Sequence, residues 1–184
     1  MTWYQILLFV HIAGAIVWVG GGFYVQMYGM IELRSGDPTV IARFAGNAGR
    51  LGERLFTPTS IVVLLAGIGL MIDGDWPWGR LWVDFALVAW LGSAVLGAAY
   101  LGPTAKRIAV VGPQTAEGQR LIRRVFAALR IDLMFLFAIV FAMVVKPTSD
   151  DVWVVVIVAA LLLAGAALTI RHLARSPEAA TSTG

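Results

Sequence analysis

Residues 3–30 read WYQILLFVHIAGAIVWVGGGFYVQMYGM, a stretch without a single Asp, Glu, Lys or Arg. Coiled as an α-helix at about 1.5 Å per residue, it crosses a hydrocarbon core of roughly 30 Å with length to spare. Ala13-Gly14-Ala15 imitates a signal-peptide cleavage site. No basic segment precedes it, however, and the apolar run continues well past it, so a retained membrane span is expected. Four further apolar runs follow, at 56–72, at 81 to about 105, at 131–145 and at 152–170. The third contains one charge, Asp84. The fourth is short unless it begins near Val125, which brings in Arg130 and Asp132.

The rest of the chain agrees with lipid as the solvent. Of the 184 residues, 59% are hydrophobic and 14% charged, against about 45–50% and 25% in a soluble domain. A soluble fold of this length has too little interior to hide that apolar surface. A disordered chain, a secreted disulfide scaffold and an ordinary soluble enzyme are excluded. Without cysteine there is also no disulfide, no thiolate metal ligand and no cysteine-held iron–sulfur cluster.

The net charge of +3 is a matter of topology. Twelve of the fourteen cations fall in the first and third connections and the C-terminal tail, leaving only Arg80 and Lys146 on the other side. The positive-inside rule assigns the twelve to the cytoplasm, with the N-terminus outside and the C-terminus inside. That arrangement needs an odd number of spans, and five satisfy it. Trp3, Trp76, Trp78, Trp82 and Trp153 fall at the expected outer boundary as an aromatic belt, while Trp18 and Trp90 are interior.

The two basic connections carry helical patterns of their own. Ile41, Phe44, Ala45, Ala48, Leu51 and Leu55 recur at helical spacing behind an Asp37-Pro38 start, a favoured cap and first-turn pair. Thr115 is a second candidate cap, for a helix running through Leu121, Ile122, Val125, Phe126 and Leu129 into the fourth span. The basic faces read either as a platform for anionic headgroups or as solvated faces of helices projecting beyond the membrane. No nucleic-acid-reading motif is present, and no nucleic-acid partner is expected. The order helix, basic connection, helix occurs at 1–73 and again at 80–146. It predicts an all-α, polytopic fold: a four-helix bundle core over 1–147, a fifth transmembrane helix over 148–175, and a polar cytoplasmic tail at 176–184.

Polar groups at bilayer depth are costly and mark candidate sites. His11 lies about 12 Å below the outer boundary, with Gly14, Trp18, Gly21 and Gly22 on roughly the same face. Imidazole ligates haem iron or copper, or relays a proton. Asp84, one turn into the third span, is a candidate acceptor for His11 or an i,i+4 partner of Arg80. Arg130 and Asp132 point to different sides of the fourth helix, so Asp132 is expected to reach another arginine. Lys146, before Pro147, is expected to snorkel to the outer interface or to neutralise a haem propionate. Met71 and Met143 share the outer half with His11, and thioethers suit copper(I). His172, the other histidine, is read as interfacial.

The segment His11-Ile-Ala-Gly-Ala-Ile-Val-Trp18-Val-Gly20-Gly21-Gly22 resembles the first-helix signature of a predicted integral membrane family of unknown function. The fourth helix, ending Met143-Val-Val-Lys146-Pro147, is similar as well, and the resemblance covers about residues 1–147. More remotely the histidine, tryptophan and glycines resemble CopD-like copper-resistance domains and HemJ-type haem-binding membrane proteins. The HemJ-type resemblance implies a haem-ligand role for His11; the third span offers no lysine or histidine for a second haem-site residue. The leading expectation is a haem- or metal-binding protein of the bacterial inner membrane, holding haem b or copper at His11. The alternatives are a non-catalytic subunit or scaffold, as a homo-oligomer or within a larger membrane complex, and a small proton-linked permease using Asp84 and Asp132.

Overall fold

The computed structural model describes residues 1–175. The tail expected at 176–184 lies outside the described residues, and so does the side chain of His172. Five long helices make up the fold: α1 (Trp3–Ser35), α2 (Pro38–Asp73), α3 (Leu81–Val111), α4 (Ala116–Val145) and α5 (Val152–Arg175). A 3-10 turn, Ser149–Asp151, leads into α5. All five are long and apolar enough to cross a membrane, and no strand occurs among the described residues. The protein is an all-α polytopic membrane protein. By the cation rule its tryptophan-rich end is outer and its arginine-rich end inner.

The connections follow from local chemistry. Thr2 and Gln5 close a reciprocal capping box at the start of α1. Gly36, at φ 72°, ends that helix in the left-handed conformation that glycine adopts without penalty. Asp37 Oδ1 then accepts from the Thr39 amide at 2.8 Å and the Val40 amide at 3.4 Å, with Pro38 in the first turn. Thr115 caps α4 by accepting from the Gly118 amide at 3.0 Å. Pro147 stops α4, and Lys146 before it takes up a left-handed cap.

The amphipathic segment after Pro38 is not a separate loop helix. It continues into the second span, and α3 likewise runs on past its apolar stretch to Val111. The helices project on the inner side, and the cations they carry there are exposed. One ion pair, Arg107–Glu117 at 2.6 Å, joins α3 to α4 among the described residues. Both partners are well exposed, so it adds little to stability.

Three of the helices contain a π turn: Ile16–Gly20 in α1, Gly52–Phe56 in α2 and Gly97–Leu101 in α3. Two of them have a plain cause. Pro58 and Pro103 lack an amide hydrogen and crowd the carbonyls of Arg54 and Ala99, and the wider turn relieves both faults. In α2 the Thr57 hydroxyl adds a bond at 2.9 Å to the Gly52 carbonyl, which also accepts from the Thr57 amide.

The outer parts of α1 and α2 pack together, and α3 packs on α4. Below its π turn, α1 also packs on α4, and α5 leans on α4. Two cores result. At mid-depth Trp18, Val63 and Leu136 are buried together, with Phe56, Trp90 and Ile139 around them. At the inner end Ile41, Ile122 and Phe126 form a second cluster, roofed by Leu33, Phe44, Ile108 and Leu129. Phe126 is twenty residues along α4 from Lys146, about 30 Å. The inner cluster therefore sits at the edge of the hydrocarbon, where water supplies a hydrophobic driving force that lipid does not.

Candidate functional site

Between the outer halves of α1 to α4 lies a cavity of about 370 Å³. That is within the range of roughly 300–1,000 Å³ typical of small-molecule sites. Its walls are apolar and aromatic, and they bring together five residues that the sequence singled out: His11, Trp18, Met71, Met143 and Lys146. Trp18 forms the floor, held by the π turn of α1 against Val63 and Leu136. Met71 is buried beside Trp82 and Val83, with Met143 packed on that group.

His11 is anchored by α2. Its Nδ1 lies 2.8 Å from the backbone carbonyl of Val63. A carbonyl only accepts, so the hydrogen is on Nδ1, and in the neutral ring Nε2 keeps its lone pair. Room for the ring comes from Gly67, where a Cβ would meet His11 Cε1 at 3.1 Å and Nδ1 at 3.3 Å.

The mouth of the cavity is built from tryptophan and cation. Trp76 and Trp82 meet edge to face at 6.0 Å between centroids. Lys146 Nζ lies 4.6 Å from the Trp76 ring and 5.4 Å from the Trp82 ring, and the Arg80 guanidinium is 5.7 Å from Trp76. Lys146 thus rests on aromatic faces at the mouth of the cavity. No carboxylate pairs with it among the described residues.

Several expectations are corrected. Asp84 is exposed on α3; it forms no ion pair with Arg80 and does not line the cavity. The α2 backbone supplies the partner of His11 instead. Gly14 does not open space for a flat cofactor: a Cβ there would meet Val63 Cγ2 at 2.7 Å, so this glycine serves the contact between α1 and α2. Gly21 faces Phe56 and Gly22 faces Leu136 in the same way. Asp132 reaches no arginine. It accepts from the Ser93 hydroxyl of α3 at 2.5 Å, a contact between neighbouring helices. Arg130 turns the other way, toward Gln26 on α1. The two carboxylates proposed for proton transfer therefore lie apart from the cavity and from each other.

Replacing Ser93 with Ala leaves the Asp132 carboxyl without its partner inside the span. We expect a loss of about 1–3 kcal/mol in unfolding free energy, read in mixed micelles, with S93T keeping most of it.

Sequence reasoning missed Gly67, Ser93, Gln26 and the carbonyl of Val63. It placed Trp76 and Trp82 in an aromatic belt at the outer boundary and did not foresee that both line the cavity, with Trp82 buried. Among the described residues no group of three or more His, Cys, Asp or Glu side chains clusters as a metal site. The chain has no match among curated proteins or among solved structures. Residues 5–147 match the family described as Predicted integral membrane protein (DUF2269), and the chain belongs to that family.

Proposed function

We propose that the outer cavity is a haem- or soft-metal-binding site with His11 as its protein ligand. The observation that carries this reading is the 2.8 Å bond from His11 Nδ1 to the Val63 carbonyl. Metal-ligating histidines almost always donate their second ring N–H in this manner, which fixes the tautomer and raises the basicity of the ligating nitrogen. Met71 and Met143 line the same cavity. One imidazole with thioethers is a donor set suited to copper(I) or to haem iron. Lys146 lines the same cavity and pairs with no carboxylate among the described residues, which supports a role in neutralising an acidic group such as a haem propionate. The distribution of the cations supports a bacterial inner membrane, with the site in the outer half.

The test is an absorption spectrum and a metal analysis of protein purified from cells supplied with iron and copper. A Soret band or stoichiometric copper is expected, and H11A should abolish either one. Colourless, metal-free wild-type protein would overturn the proposal.

A further inference from the structure

A second concavity, of about 570 Å³, opens on the lipid-facing side between α1, α4 and α5, away from the His11 cavity. Its wall is apolar, formed by residues such as Met30, Leu133, Met134, Phe137 and Val158. Only Gln26 and Arg130 bring polar side chains to it. Gln26 is 2% exposed. Its side-chain nitrogen donates to the Phe126 carbonyl at 3.3 Å, and its oxygen accepts from Arg130 Nε at 3.2 Å. That bond steadies the guanidinium and leaves both terminal nitrogens open. No carboxylate pairs with them among the described residues.

Depth identifies the counter-charge. Arg130 lies sixteen residues along α4 from Lys146, about 24 Å below the outer boundary, near the inner edge of a core of roughly 30 Å. The groove climbs from Arg130 to Phe141, about 16 Å along the helix. One leaflet of hydrocarbon is about 15 Å deep. The groove thus has about the length of a single acyl chain, and Arg130, about 6 Å inside the inner edge, is within side-chain reach of that chain's phosphate. We infer that the groove between α1, α4 and α5 binds one anionic phospholipid of the inner leaflet, its phosphate on Arg130 and one acyl chain along α4. A helix from a second copy would cover the apolar wall but would leave the guanidinium without a counter-charge.

Native mass spectrometry of the full chain in detergent provides the test, with phosphatidylglycerol or phosphatidylcholine of identical acyl chains as probes. One phosphatidylglycerol per chain should survive activation that strips phosphatidylcholine. R130Q should weaken its retention about tenfold, and R130K, which keeps the charge and loses the fork, by less. V158W fills the groove from α5 with the charge intact, and it should weaken retention as well. R123Q removes an exposed cation outside the groove and should change nothing. Equal retention of both lipids, an effect of R123Q as large as that of R130Q, or full retention in V158W would each overturn the assignment. Competition by millimolar inorganic phosphate would also overturn it, by showing an anion site without an acyl chain. Variants are compared only at matched circular dichroism and elution volume.

Discussion

Phe126→Ala is expected to cost about 3–5 kcal/mol of unfolding free energy, the largest single stability loss we anticipate in this chain. Phe126 is 2% exposed. It packs with Ile41 and Ile122, stacks on Phe44 at 5.6 Å between centroids, and lies at the inner edge of the hydrocarbon. Its truncation leaves a cavity that neither lipid nor neighbouring helices fill. The ring is seated on Gly29 of α1, where any Cβ would overlap it. Gly29→Ala should therefore destabilise too, by about 1–3 kcal/mol. The two changes are coupled, because one removes the volume that the other adds. G29A/F126L should be more stable than the sum of its single variants predicts, by about 0.5–3 kcal/mol. Reversible unfolding in mixed micelles measures all of these. Strict additivity would show that α1 and α4 do not meet through this pair.

Gly67→Val should lower cofactor affinity by about 10–100-fold while leaving the fold in place. A Cβ at Gly67 already meets the imidazole at 3.1 Å, and valine adds two methyl groups in the same direction. His11 must then leave the Val63 carbonyl, and its tautomer is no longer fixed. The ligand itself survives in this variant, unlike in H11A, so the loss reports the orientation of the ring. Nitrogen chemical shifts of His11 should show Nδ1 protonated in the wild type and a mixture of tautomers in G67V. An unchanged wild-type pattern in G67V would show that the Val63 bond does not hold the ring.

Much of the fold was legible in the sequence because the bilayer imposes such strict terms. A run like 3–30 has few other places to go, and the cations of the connections sort themselves by side. The caps at Asp37 and Thr115 were readable for a similar reason, since each acts within its own first turn. The site was legible in part. His11, Trp18, Met71, Met143 and Lys146 all reach one cavity. What escaped was partnership. The group holding His11 is a backbone carbonyl, which no side-chain pattern encodes. Asp132 and Ser93 are thirty-nine residues apart, and only the packing of α3 on α4 brings them together. Asp84 looked like a partner for His11 by depth alone, but depth does not say which side of α3 it occupies. The tryptophans posed the converse problem. Composition places Trp76 and Trp82 at the outer boundary but does not distinguish facing lipid from roofing a cavity.

The π turns of α1, α2 and α3 lie between about 20 and 30 Å from the outer ends of their helices. Each holds one residue more than an ordinary turn, which re-phases everything beyond it by about 100°. In α1, Gly14 above the turn and Gly21 just below it face α2, whereas Gly22 and Gly29 face α4. Only α4 runs through the bundle unbroken among the first four helices. The molecule is therefore built as two storeys around one straight mast, with a joint in each of the other three posts. Those joints separate the upper storey, where the His11 cavity lies, from the lower storey of Ile41, Ile122 and Phe126.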